Sequence, residues 1–228
     1  MPAILGRVDF KRRLDVYIVE RTKIFLQGFL ASYGPTSIKK RIWDRDFSGG
    51  KWDFIDNTLG DCVYPYLEKY AHNGDILDLG CGPGNTANEL AADVYRSYVG
   101  VDISEAALAK AVKRTQENGR ASKNSFVASD FLGYKPAQDF DIILFRESLY
   151  HVPYGQVKPI LDKYSRNLKP GGVFIVRLYA GDSRPGKIKR RVTRKMDLIE
   201  REFDMVESRR FDTPALPTVL VFRPRRKS

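Results

Sequence analysis

Between Asp75 and Tyr179, short apolar runs alternate with longer stretches whose apolar positions recur at helical spacing. The runs are "DILDL" (75–79), "SYVGV" (97–101), "SFVAS" (125–129), "FDIILF" (140–145) and "GVFIVRLY" (172–179). Runs this short, rich in Val, Ile and Phe, predict strands. The intervals predict helices near 86–95, 104–117 and 155–168, and strands alternating with helices predict a parallel sheet covered on both faces. After Tyr179 the alternation breaks. "GDSRPGKIKRRVTRK", basic over 182–195, reads as a loop leading into "MDLIEREF". Two last runs, "MVESRRF" and "TVLVFRP", are joined through Pro214 and Pro217 with no room for a crossover helix, so they should pair antiparallel.

Upstream, residues 9–33 space Phe10, Leu14, Tyr17, Ile18, Phe25 and Phe29 among charges as an amphipathic helix would, and Gly34-Pro35 stops the pattern. "IWDRDFSGGKWDFID" then sets Trp43, Phe47 and Trp52 around Gly49-Gly50, which reads either as an aromatic flap hinged over a ligand or as an aromatic-rich loop packed on a core. The expected division is therefore a helix and flap at 1–57, serving as a lid and substrate region, and the α/β domain at 58–228. His72, before Asn73-Gly74, reads as a helix C-terminal cap.

Composition changes this picture in two places. The chain of 228 residues has a net charge of +11 that is concentrated at its ends: ten basic against four acidic residues over 1–45, fourteen against six over 184–228, and fifteen against eighteen between them. Basic ends can attract nucleic acid, acidic lipid or an anionic metabolite, or serve as a solvated face. Two cysteines, Cys62 and Cys81, make no disulfide framework and lack metal-ligand spacing, which fits a reducing compartment. With no signal-peptide pattern and no run approaching ~18 apolar residues, a cytoplasmic protein is expected.

The chemistry starts at "DILDLGCGPGNT", where Gly80, Gly82 and Gly84 leave the first strand for a helix. In an open α/β sheet that turn lies at the ligand crevice, and glycine permits both the tight turn and close backbone approach. The dinucleotide fingerprint G-x-G-x-x-G would place glycine at 85, where Asn85 stands. Asp78 is also ill-placed beside a pyrophosphate but favourable beside an ammonium. S-adenosylmethionine carries an α-ammonium, a carboxylate and no phosphate, and fits better than NAD. Asp102 ends the second strand, where an acid can accept from both ribose hydroxyls. Asp130 and Phe131 follow the third, suited to the adenine amino group and ring, with Ile103 as the other apolar wall.

With these residues in place the chain resembles the class I S-adenosylmethionine-dependent methyltransferases. The resemblance rests on "ILDLGCGPGNTANEL", "VGVDISEAAL", "FVASDFLGY", "FDIILFRESLYHV" and "LKPGGVFIV", over roughly 74–178. It implies a Rossmann-like, doubly wound, mostly parallel α/β sheet of seven strands with the last antiparallel, and it implies a cofactor set of Asp78, Gly80, Cys81, Gly82, Gly84, Asn85, Asp102, Ile103, Asp130, Phe131 and Arg146. Outside the core the similarity is a general one to bacterial methyltransferases of small molecules, in which an N-terminal segment closes over the cofactor. Such a helical lid is expected here.

The fourth strand runs into "FRESLYHVP", making Glu147, Tyr150 and His151 the polar residues expected to meet the acceptor. His151 is the candidate base because its ordinary pKa lies near neutrality, and the competing reading is a structural cap. Arg177 and Tyr179 end the fifth strand and, with Trp52, are candidate substrate contacts; Arg146 and Arg177 could clamp an anion, and the competing reading for each is an ion pair at the core edge. No metal is expected, since only Glu147 stands where a metal-dependent enzyme would cluster acids. Three rivals to a small-molecule methyltransferase are an RNA methyltransferase using the basic termini, a non-catalytic cofactor- or partner-binding domain, and an NAD(P)-dependent oxidoreductase. Against base amino-methylation, Arg146-Glu147-Ser148-Leu149 replaces the Asn/Asp-Pro-Pro-aromatic tetrad.

Overall fold

In the computed structural model, which describes Thr22 and residues 26–179, 186–212 and 217–225, the five runs of the central region become strands. They are β1 (Gly74–Leu79), β2 (Tyr95–Asp102), β3 (Asn124–Ala128), β4 (Phe140–Arg146) and β5 (Leu168–Tyr179), followed by β6 (Asp204–Arg210) and β7 (Pro217–Arg223). The sheet order is β3-β2-β1-β4-β5-β7-β6. The first five strands are mutually parallel, while β7 inserts between β5 and β6 and runs antiparallel to both. Burial follows that position: every residue of β7 except Arg223 is buried, whereas β6, at the edge, alternates and ends in exposed Arg209 and Arg210, a charged edge that discourages pairing with another chain.

Alternate residues along the strands feed two core layers. Leu77, Leu79, Phe145, Phe174 and Phe222 face one layer, and Ile76, Leu144, Ile175 and Val221 face the other. The first layer is covered by α6 (Tyr154–Ser165) and α7 (Gly186–Glu202), the second by α3 (Tyr64–Ala71) through Tyr64, Leu67 and Ala71. Between the strands lie α4 (Asn85–Glu89) and α5 (Glu105–Glu117), the latter capped by Ser104, whose hydroxyl accepts from Ala107 N at 3.2 Å. His72 is the C-cap of α3 in the left-handed conformation (φ 47°, ψ 41°). Among the described residues no helix is long and apolar enough to cross a membrane.

Three segments depart from the sequence expectation. Helix α1, described over residues 26–33, does stop at Gly34-Pro35, but a new helix, α2 (Thr36–Ser48), begins at once, so Trp43 and Phe47 sit on a helix and not on a flap. Its inward positions include the polar Lys39 and Asp46, which blur the apolar stripe. The basic stretch is helix from Gly186 onward, because Val192, Lys195 and Ile199 form one buried stripe in which a lysine holds an apolar place. Helix α4 ends at Glu89, as Leu90 is already extended. The expectations for residues 9–21 and 182–185 lie outside the described residues.

Candidate active site

Strand β1 lies between β2 on one side and β4 on the other, so the loops leaving β1 and β4 diverge and open a crevice at the carboxyl end of the sheet. Gly80 takes φ +86°, and a Cβ there would run into Ser148 Cβ. Ser148 is thereby close enough for its hydroxyl to donate to Leu79 O, which pins the two loops together. Asp102 closes the turn from the other side: Oδ2 accepts from Gly82 N and Oδ1 from Ser104 N, both at 2.9 Å. Burial raises its pKa, while these N–H groups favour the ionised form.

Asp78 is the unusual acid. It is 1% exposed, and its Oδ2 accepts from Tyr98 OH at 2.6 Å, but its Oδ1 has no hydrogen-bond partner among the described residues. Burial pushes its pKa up to about 6 against the Tyr98 hydrogen bond, the Arg146 charge and the nearby Thr86 hydroxyl. A buried carboxylate oxygen left open beside a glycine turn has the capacity to accept from a further donor.

The sequence-predicted residues converge. A cavity of about 1050 Å³ is lined by Asp78, Gly80, Cys81, Gly82, Asn85, Asp102, Ile103, Asp130, Phe131 and Arg146, and also by Trp52, Glu147, Tyr150, His151, Arg177 and Tyr179. Gly84 is the one predicted residue outside the wall. It takes φ +73° against α5, where a Cβ would lie 2.7 Å from Ala111 Cβ, so its missing side chain serves helix packing. Several wall residues are also engaged elsewhere. Asn85 donates to Ile55 O and to Thr58 Oγ1 and accepts from Arg114 Nη1 at 2.8 Å, strapping residues 55–58 across the loop. Asp130 is ion-paired with Lys39 of α2 and accepts from Leu132 N at 3.1 Å. Cys81 packs over Gly100, and burial raises its thiol pKa well above the ordinary value.

The arginines are not free to clamp an anion. Arg146 pairs with Asp61 at 2.9 Å and Arg177 with the same Oδ2 at 3.3 Å, while Arg177 also pairs with Glu147. The sequence reading missed Asp61, which is 85 residues from Arg146 in the chain and belongs to no recognisable motif. Burial alone would raise its pKa, but the Arg146 and Arg177 charges outweigh that and hold it below the ordinary carboxylate range. Two cations and two anions thus neutralise one another, so of the two readings for these arginines the structure shows the ion pair and not the anion clamp.

His151 ends a 3₁₀ turn (Leu149–His151), with its ring edge-on to Trp43 at 4.8 Å between centroids. That turn is held by Lys195, another residue the sequence reading missed. Its ammonium, on a side chain from α7, donates to Leu149 O, Tyr150 O and Val152 O at 3.0, 3.0 and 2.6 Å. Burial, with repulsion from Arg191, brings its pKa down to about 8. Lys195→Met leaves three carbonyls without their donor; we expect a loss of at least ~2 kcal/mol in urea denaturation, and an unchanged midpoint would show that water replaces the ammonium.

Comparison with known proteins agrees with this geometry. Residues 76–172 match the model of a methyltransferase domain. The chain is 33% identical over 137 residues to sterol 24-C-methyltransferase erg6 of Aspergillus fumigatus, covering 55% of this chain and 36% of that protein. It is 33% identical over 149 residues to probable thiol methyltransferase 2 of Arabidopsis thaliana, covering 63% and 64%. The chain therefore spans between about a third and two thirds of the length of these relatives. Its fold is similar to that of the N-methyltransferase NodS from Bradyrhizobium japonicum WM9 solved with S-adenosyl-L-homocysteine, with a TM-score of 0.62 at 21% identity over 81% of this chain and 97% of the other.

Proposed function

We propose, from the premise that this chain carries a methyltransferase domain of the class I, S-adenosylmethionine-dependent family, that it transfers a methyl group to an oxygen or nitrogen of a small molecule. The observation that carries the reading is the open, buried Oδ1 of Asp78 on the cavity wall, which suits an ammonium and repels a phosphate. When bound, the cofactor supplies a methyl carbon already activated by a sulfonium.

The remaining work falls to this chain's own residues. Asp78 receives the ammonium. Asp102, already fixed by Gly82 N and Ser104 N, keeps lone pairs for ribose hydroxyls, and Phe131 and Ile103 flank the base. Asp130 can accept from an adenine amino group only alongside Lys39, so α2 closes that end of the site. Trp43, Phe47 and Trp52 line the cavity and exclude water from it. His151 takes the proton that an alcohol, phenol or ammonium acceptor must lose. Tyr150 lines the same wall, whereas Glu147 holds Arg177 in place. The N-terminal residues through 57 act as the lid on the domain that follows.

Titration calorimetry should show S-adenosylmethionine and S-adenosylhomocysteine binding to the purified chain and NAD giving no heat; the reverse pattern refutes the cofactor assignment. His151→Ala should lower turnover by at least ~10²-fold with cofactor affinity unchanged. Full turnover in that variant would leave His151 a purely structural part.

A further inference from the structure

We propose that the acceptor is an uncharged, flat, ring-bearing molecule, received on an aromatic cluster in the wall of the cavity and oriented by the Nε–H of Arg177. The inference rests on the methyltransferase reading above and goes beyond it by naming the class of acceptor.

Three observations carry it. The first is the concentration of rings. Trp43 is the hub: its centroid lies 5.8 Å from that of Trp52, 6.3 Å from Phe47 and 4.8 Å from His151. Trp52 extends the cluster to Phe54 at 5.7 Å, and His151 extends it to Tyr150 at 5.4 Å. All six side chains line the cavity, and none of these pairs is parallel-stacked: the two involving His151 are edge-to-face and the others tilted. Faces and edges presented at such angles receive a flat ring by offset or edge-on contact. Phe29 and Tyr33, stacked on each other at 5.0 Å and about half exposed, line the same cavity and continue the aromatic surface toward solvent.

The second observation is charge. On this part of the wall Arg146 and Arg177 are matched by Asp61 and Glu147, and the other arginine there, Arg191, is exposed and screened. A carboxylate or phosphate entering here would lose its hydration and find, beyond the exposed Arg191, no cation without a carboxylate partner. An uncharged acceptor meets no such penalty.

The third is one unpartnered donor. Arg177 Nε is buried and makes no hydrogen bond among the described residues, although its terminal nitrogens are engaged by Asp61 and Glu147 and the Cys62 thiol lies beside the guanidinium. It offers a single N–H to a hydroxyl or carbonyl oxygen on the ring. The cluster also brings an acceptor ring against Trp43, the side chain that touches His151, so a hydroxyl on that ring reaches the proposed base.

The chain contains two tryptophans, and both belong to the cluster, so intrinsic fluorescence reports on this cavity. Three probes sharing one ring system isolate charge: 2-naphthol, 2-naphthoate and 2-naphthylmethylammonium, titrated into the full chain with S-adenosylhomocysteine present. We expect 2-naphthol to quench with an affinity at least ~10-fold above both charged congeners. Trp43→Leu, followed by calorimetry, should weaken 2-naphthol by at least ~10-fold while S-adenosylhomocysteine still binds. Equal or tighter binding of the carboxylate or the ammonium overturns the uncharged class, and an aromatic cluster preferring the ammonium would be a cation–π site instead. No binding of 2-naphthol, or unchanged binding in Trp43→Leu, overturns the aromatic assignment. S-adenosylhomocysteine titrated alone separates the two levels: heat with it but no selectivity among probes sinks this inference and leaves the methyltransferase reading standing. The wild-type comparison decides the class even if the variant does not fold.

Discussion

Asp61→Ala should be the most damaging single substitution outside the core, lowering stability by ~3–5 kcal/mol. The carboxylate is 8% exposed and is the one anion shared by Arg146 and Arg177, whose side chains are 10% and 16% exposed. Removing it leaves Arg146 without a paired carboxylate, with only the charge of Asp78 nearby, and Arg177 with only Glu147, whose side chain is 31% exposed. Breaking a buried pair costs the desolvation of the partner left behind, which exceeds the net worth of the intact pair. In a chain of 228 residues the loss corresponds to a fall in melting temperature of roughly 6–20 °C, measured by circular dichroism. Glu147→Gln should cost much less, because its carboxylate is partly exposed. Acid should mimic the substitution. The folded pKa of Asp61 is depressed, so its contribution is present above the unfolded carboxylate value and is lost as pH falls through the folded one. A loss below ~1 kcal/mol for Asp61→Ala would mean that water screens the network, and the buried-pair account would fall.

Asp78 has the opposite sign, and this yields the second large effect. Its folded pKa is raised from 3.8 to about 6, so the folded state holds its proton more tightly than the unfolded state across that interval. Stability is therefore greater below pH 4 and declines as pH rises toward 6, by about 3 kcal/mol in all from this group. Cofactor affinity runs the other way. An ammonium is held by the ionised carboxylate, so affinity should climb ~10-fold per pH unit up to about pH 6 and then level off. Asp78→Asn removes the charge: affinity for S-adenosylmethionine should fall by ~10²-fold at pH 7.5 and its pH dependence below 6 should flatten, while the free protein loses no stability. Calorimetry across pH 5–8 on both proteins checks this. A wild-type affinity flat through that range would place the ammonium elsewhere.

How far the sequence reached is clearest at the sheet. Five strands were legible as short apolar runs and the last two as β-like runs, and the short link between those two foretold their antiparallel pairing, since no crossover helix fits in it. The glycine turn and the strand-end acids were legible because their spacing is local: Asp78 lies two residues before Gly80, and Asp102 and Asp130 close or follow their strands. Helices α2 and α7 were illegible because each hides polar residues in its inward stripe, Lys39 and Asp46 in one and Lys195 in the other. A hydrophobicity pattern cannot register a lysine whose burial is compensated by three carbonyls or by an aspartate.

By itself, the sequence determined the strands of the sheet and the candidate residues around the glycine turn, because each depends on periodicity or on neighbours within a few positions. Only the tertiary structure decided what those residues face. It joined Asp61 to Arg146 and Arg177, deciding between an anion clamp and ion pairs in favour of a neutral network, and it gathered Trp43, Phe47 and Trp52 about His151. The reason is physical: charge compensation and aromatic contact act over a few ångströms in space, between side chains whose separation along the chain carries no signal of their meeting.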